Sequence, residues 1–351
     1  MKILTVVGAR PQFIKAAPLS KELRKNNIEK IIHTGQHYDE NMSNIFFEEM
    51  NIPRPDYNLN VGSGNHGYQT GKMLIAIEEI IVEEKPDIVL VYGDTNSTLA
   101  GALAASKLLV KVAHVEAGLR SFNMAMPEEQ NRILTDHLSN FLFTPTQTAV
   151  KNLNNEGIKN NVYNVGDVMY DAILHFTEVA RNTSTIINTI GLKENEYVLA
   201  TIHRAENTND INRLGNIINA FNLSGETIIM PLHPRTRKYI ESYNLKLSSN
   251  ITIIEPIGYL DMVMLEMHSK KIVTDSGGVQ KEAFFLSKPC ITLRDETEWI
   301  ETVENGWNVL AGADTEKIVK LIANFNPQRD RINYFGDGDA ATKINDVLIR
   351  G

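Results

Sequence analysis

Short β-branched and apolar runs alternate along this chain with longer stretches whose apolar positions recur at helical spacing. In the first half the runs at 2–7, 30–33, 87–92, 111–115, 141–144 and 161–165 predict strands, and the stretches at 13–25, 68–84, 97–109 and 128–139 predict helices. The second half repeats the scheme, with strands predicted at 197–202, 227–230, 251–254, 271–274 and 290–293. Strands that read as continuous apolar runs are buried on both faces, and helices between them imply parallel βαβ units in a doubly wound sheet. The chain changes from one sheet to the other near Gly166-Asp167, which predicts an N-terminal domain over 1–166 and a C-terminal one over 167–338. A last helix at about 340–350 is expected to cross back, so that 339–351 joins the first domain. The expected architecture is α/β: two Rossmann-like domains facing a cleft.

At 351 residues two domains are also the default on length. No apolar run approaches the roughly 18 residues of a membrane span, and the first residues enter a strand with no signal-peptide layout. The single cysteine, Cys290, excludes an internal disulfide, lies in an apolar run as a structural residue would, and fits a reducing compartment. These features predict a cytoplasmic protein. A net charge of −8 with no Lys/Arg block argues against nucleic acid as the main partner.

In a doubly wound sheet the ligand sits beyond the carboxyl ends of the strands, and polar clusters stand there in this chain. Gly8-Ala9-Arg10-Pro11-Gln12 follows the first strand, Gly93-Asp94-Thr95 another, and His114-Val115-Glu116-Ala117-Gly118 closes the next. In the second half His203-Arg204-Ala205-Glu206-Asn207 and Pro231-Leu232-His233-Pro234-Arg235 end strands. Thr274-Asp275-Ser276-Gly277-Gly278 joins a strand to a helix, where backbone N–H groups and the helix dipole favour an anion. Ser276, Gly277 and Gly278 are candidate phosphate ligands, and Glu282 a candidate acceptor for a sugar hydroxyl. The ordinary alternative is a turn that needs glycine for its dihedral angles.

No G-x-G-x-x-G follows a strand and no P-loop occurs, so a nicotinamide cofactor is unsupported. His33 and His37 flank Gly35 and are no helical ligand pair, and Asp275-Ser276-Gly277 is no nucleophile elbow. No cofactor or metal is expected. What remains is a set of acids and bases: Asp94, Glu116, Glu128, Glu129, His203 and His233. Carboxylates gathered in a dry site raise one another's pKa, which suits proton transfer. Each also has a plainer reading. Asp94 could cap the helix that opens at Thr95, Glu128 and Glu129 could complement the dipole after Pro127, and Glu116 could be paired with Arg120 or Arg132.

These motifs, with Gly35-Gln36-His37, Pro127-Glu128-Glu129-x-Asn131-Arg132, Gln280-x-Glu282 and Gly336-Asp337-Gly338 in the same order, resemble the non-hydrolysing UDP-N-acetylglucosamine 2-epimerases over nearly the whole chain. The resemblance implies a GT-B-like fold, often dimeric, serving cell-surface polysaccharide synthesis without a cofactor. It implies inversion at C2 of a UDP-2-acetamido sugar by elimination of UDP to a 2-acetamidoglucal and re-addition, with closure of the cleft. Asp94, Glu116, Glu128 and His203 correspond to the family's catalytic residues. Arg10, Lys15, His203, His233 and the 276–278 turn would hold the pyrophosphate. Gln36, His37 and Gln69 lie in stretches resembling an activator site.

Two departures bear on the sugar. Trp299 stands where many relatives have an arginine, and Gln12 where many have glutamate. Both, with Ser121-Phe122-Asn123, resemble a subgroup that includes 2-epimerases of UDP-2,3-diacetamido-glucuronate. Conversion of UDP-GlcNAc to UDP-ManNAc is therefore the first expectation and the diacetamido-uronate the second. A GT-B glycosyltransferase, which would need an acceptor, is the alternative from another class.

Overall fold

The computed structural model describes residues 1–35 and 52–350, apart from the Arg10 side chain. The chain divides into two compact units, Met1–His175 with Asn333–Gly351, and Phe176–Ile332, so the division falls within the helix Val168–Thr183.

Among its described residues the first unit carries seven strands: β1 (Lys2–Val7), β2 (Ile28–His33), β3 (Tyr57–Asn58), β4 (Ile88–Tyr92), β5 (Lys111–Val115), β6 (Phe141–Thr144) and β7 (Val162–Asn164). They pair in parallel in the order β3-β2-β1-β4-β5-β6-β7. The second unit has β8 (Val198–Thr201), β9 (Ile228–Pro231), β10 (Ile251–Ile254), β11 (Lys271–Thr274), β12 (Cys290–Thr292) and β13 (Asn308–Leu310). Their order is β10-β9-β8-β11-β12-β13, again all parallel. Each unit is thus a Rossmann-like doubly wound α/β fold, as the alternation predicts. Strands β3 and β13 are additions. Both are edge strands of two and three residues, too short to show a pattern.

Continuous apolar strands are explained by helices on both faces. In the second unit Val198 and Ala200 of β8 point into one core, with Leu214, Ile218, Ile318 and Ile322, while Tyr197 and Leu199 point into another, with Leu265, Ala283 and Cys290. Each buried large aliphatic side chain contributes about 1.5–3 kcal/mol. Cys290 is buried, and burial pushes its thiol up to about 12, the behaviour of a structural residue. The helix Ala340–Arg350 belongs to the first unit, where Asn345 donates to the Glu22 carbonyl at 3.2 Å. Among the described residues no helix is long and apolar enough to cross a membrane.

Each sheet order reverses its winding once, at β1/β4 in the first unit and at β8/β11 in the second. The crevice at such a switch point is where these folds take ligands. Gly8 follows β1 and Gly93-Asp94 follows β4; His203 comes just after β8 and Asp275-Ser276 after β11.

Candidate active site

The β1 end of the first crevice is packed too tightly for any side chain. A Cβ on Gly8 would lie 2.1 Å from Thr34 Oγ1 and 2.2 Å from Ser97 Oγ. Beside it, buried Gln12 clamps the two strand ends. Its Oε1 accepts from the N–H groups of Gly8 and Ala9 at 2.8 and 3.1 Å, and its Nε2 donates to the Tyr92 carbonyl at 2.8 Å. An amide does both jobs; a carboxylate could not donate to Tyr92.

Three groups converge after β4 and β5. Gly93 has φ +63°, and a Cβ there would lie 3.2 Å from Glu116 Oε2 and 3.4 Å from Lys15 Nζ. Glu116 itself holds φ +74°, in the left-handed region that costs a non-glycine residue about 1–3 kcal/mol. Its carboxylate is buried and bonded to Lys15 Nζ. Lys15, expected at a phosphate, is bonded to Glu116 here, and the two arginines expected beside Glu116 bind other carboxylates. Arg132 binds Asp94 Oδ2 at 2.5 Å and Glu129 Oε2 at 2.8 Å; Arg120 binds Asp136 and Glu156.

Asp94 does not cap the next helix. Thr95 does, accepting from the Thr98 N–H, and leaves the Asp94 carboxylate partly exposed on Arg132. Glu128 and Glu129 separate in role. Glu129 is fully buried, and accepts from the Ser121 and Phe122 N–H groups, both at 2.9 Å. Burial works against its charge, but those N–H groups and Arg132 outweigh it and hold its carboxyl below the usual range. Glu128 is half-buried and, among the described residues, its carboxylate has no hydrogen bond or ion pair. Gln69 is buried, donating to the Gly62 carbonyl at 2.7 Å and accepting from Asn96 at 3.0 Å. Gln36, His37 and the Arg10 side chain lie outside the described residues.

In the second unit Asp275 is the organising group. Fully buried, it accepts from the N–H groups of His203 and Arg204 and from Asn207 Nδ2, at 3.0–3.2 Å. The half-exposed His203 ring turns Nδ1 to the same carboxylate at 3.5 Å. His233 caps the helix Pro234–Ser242: its Nδ1 accepts from the Arg235 N–H at 3.1 Å, so Nε2 carries the ring proton. The two rings stand 5.9 Å apart.

Ser276 caps the helix Gly277–Phe285 through the Val279 N–H, and Glu282 is buried one turn in. Neither glycine here has a positive φ, so the dihedral explanation of Gly277-Gly278 fails. Space is the reason at Gly277, where a Cβ would lie 2.6 Å from Glu298 Oε1 and 3.4 Å from Trp299 Nε1. Above Gly278 a Cβ would meet only Ser276 Oγ, at 3.8 Å. Trp299, the departure noted in the sequence, is buried with Lys281 Nζ 4.1 Å from its ring centroid.

Sequence reasoning gave no role to Asp275, Asn131 and Asp136. Asn131 Nδ2 donates to the Asp94 carbonyl at 2.9 Å, and its place one residue before Arg132 on a helix starting Pro-Glu-Glu was the available signal. Among the described residues no group of three or more His, Cys, Asp or Glu is placed to hold a metal ion.

Residues 21–349 match the family described as UDP-N-acetylglucosamine 2-epimerase. A Methanococcus maripaludis protein named UDP-N-acetylglucosamine 2-epimerase homolog is 60% identical over 99% of both chains. The Pseudomonas aeruginosa UDP-2,3-diacetamido-2,3-dideoxy-D-glucuronate 2-epimerase is 53% identical over the full length of both. The crystal structure of the Methanocaldococcus jannaschii UDP-GlcNAc 2-epimerase in complex with UDP-GlcNAc and UDP is similar at a TM-score of 0.94 and 49% identity, covering 100% of both chains. With its two doubly wound units, its carboxylates beyond β4 and β5, and this similarity over the whole length, the chain belongs to the UDP-N-acetylglucosamine 2-epimerase family.

Proposed function

We propose that this chain inverts C2 of a UDP-2-acetamido sugar without hydrolysing it, converting UDP-GlcNAc to UDP-ManNAc. A base takes the C2 proton, the C1–O bond breaks with its electron pair leaving on UDP, and a C1=C2 bond forms. A proton then reaches C2 from the opposite face as the UDP oxygen returns to C1. The observation that carries this reading is Glu116, held at φ +74° against Lys15 beside the Gly93-Asp94 turn. A strained, buried carboxylate next to a second, partly exposed one at a switch point is suited to proton transfer. Asp94, Glu116 and Glu128 supply the acid and base groups. His203, with its ring turned to Asp275, serves the departing diphosphate together with His233, Arg10 and the Ser276-Gly277-Gly278 helix start. Such chemistry asks for no cofactor. We further propose a cytoplasmic homodimer with an activator contact at Gln36, His37 and Gln69.

Two observations favour UDP-2,3-diacetamido-glucuronate as the second reading: the relative of that name at 53% identity, and Trp299 packed against the Gly277 turn. Proton NMR of the purified protein with UDP-GlcNAc alone in D2O decides between them. Deuterium at C2, UDP-ManNAc growing in and no free sugar are expected. No exchange would move the assay to the diacetamido-uronate, and inertness there too would refute epimerisation.

A further inference from the structure

His114 lies on β5, two residues before Glu116, and is completely buried. Its ring nitrogens meet two groups that can only accept. Nε2 is 2.7 Å from the Gly93 carbonyl oxygen, and Nδ1 is 2.7 Å from Asp136 Oδ1. A neutral imidazole donates through one nitrogen alone, so this arrangement is satisfied by imidazolium. The other Asp136 oxygen accepts from Arg120 Nη1 at 2.7 Å and from the Gly118 N–H at 3.1 Å. Arg120 in turn is clasped by Glu156 through Nε and Nη2, at 2.6 and 2.7 Å. The chain of groups alternates in sign and balances its charge when the ring is a cation. Burial alone would favour a protonated Asp136, yet His114 and Arg120 hold its carboxyl below the usual range.

The Gly93 carbonyl is the last contact needed to fix its turn. The Gly93 N–H already donates to Val115 at 3.0 Å, the Asp94 carbonyl is held by Asn131 at 2.9 Å and the Asp94 carboxylate by Arg132. We propose that His114 and Asp136 are positioning residues for the catalytic carboxylates: Asp136 accepts from the ring at Nδ1 and fixes its orientation, and the Nε2–H pins the Gly93 carbonyl so that Asp94 and Glu116 keep their separation. This rests on the epimerase reading above.

The test compares His114→Gln with His114→Asn in the full chain. Both remove the ion pair with Asp136, but glutamine sets an amide N–H where Nε2 stood, whereas asparagine reaches only the Nδ1 position. The expected kcat of the glutamine variant is within about fivefold of the parent, and that of the asparagine variant about 100-fold lower, the scale of a misplaced reacting group. KM and melting temperature should move alike in the two. The same kcat loss in both would overturn the proposal, because a purely structural histidine would show that pattern. A readout independent of turnover is nitrogen-15 NMR of the histidine-labelled chain near pH 7. Two ring N–H signals for His114, lost in His114→Gln, are expected; a single one would also overturn it. If the parent turns over no UDP-sugar, the functional reading falls while the NMR still decides this inference.

Discussion

The Lys15–Glu116 pair allows the stability and the chemistry of one carboxylate to be separated. Its side chains are 11% and 5% exposed, so either charge left alone would be poorly solvated. Breaking a buried pair by removing one partner costs about 3–5 kcal/mol, while replacing both is nearly neutral. Glu116→Gln and Lys15→Met should therefore each lower the melting temperature by about 6–20 °C, at about 2–4 °C per kcal/mol for a unit of this size. The double variant should regain most of that loss and be more stable than either single variant, the sign of a coupled pair in a double-mutant cycle. Activity should not follow. Glu116→Gln removes a group assigned to proton transfer, so C2 deuterium exchange should fall at least about 100-fold in the single variant and stay there in the stabilised double. Thermal melts and the D2O exchange assay on the same four proteins measure both. A double variant that regains exchange along with stability would show that Glu116 is only half of a structural ion pair.

Three further outcomes are expected. Asp171 accepts from the Ala340 and Ala341 N–H groups at 3.2 and 2.7 Å; burial chiefly, aided by Asp167 and Asp339, lifts its carboxyl from 3.8 to about 6. A raised folded-state pKa stabilises below the unfolded value and loses that contribution as pH rises through about 6, so Asp171→Asn should flatten the parent's decline between pH 4 and 7, a term on the order of 3 kcal/mol; parallel melting curves would rule this out. Gly278→Ala should leave melting unchanged or raise it, since the space is open and alanine favours helix by about 1 kcal/mol, yet weaken UDP binding about tenfold, whereas Gly277→Ala should lower melting through its 2.6 Å approach to Glu298; calorimetric titration with UDP separates the two. Cys290 should resist alkylation in the native protein and react once it is unfolded, and rapid labelling of the folded chain would contradict its burial and its raised pKa.

The fold was legible because parallel strands covered by helices on both faces must be apolar throughout. Runs such as 88–92 show this without ambiguity, while β3 and β13 at the sheet edges have too few residues to carry a pattern. Site positions were legible for a related reason. A carboxylate or histidine directly after such a run has to stand at the strand's carboxyl end, which located Asp94, Glu116 and His203. Partnerships were not, because side-chain reach is a property of tertiary packing. Lys15 and Glu116 are 101 positions apart, and the plausible local arginines, Arg120 and Arg132, had other carboxylates to satisfy. Gly277 shows the same limit: spacing suggested a dihedral need, but the constraint is the Glu298 side chain from a distant loop.

The helix Pro127–Leu138 ties these particulars together. Its buried residues are Glu129, Asn131, Arg132, Thr135 and Asp136, a polar stripe where a helix of an α/β fold ordinarily buries an apolar one. Such charges contribute little net stability compared with hydrophobic residues of similar volume, so stability is a poor reason for them. Placement is a better one. Glu129 fixes the Ser121-Phe122 backbone, Asn131 the Asp94 carbonyl, Arg132 the Asp94 carboxylate, and Asp136 both the Gly118 N–H and His114. A rigid rod with a rise of about 1.5 Å per residue thereby sets the spacing of the two loops at the ends of β4 and β5, the loops that carry Asp94 and Glu116. The mutual geometry of the two carboxylates proposed to exchange protons with one carbon is thus set by a single element rather than by the loops themselves.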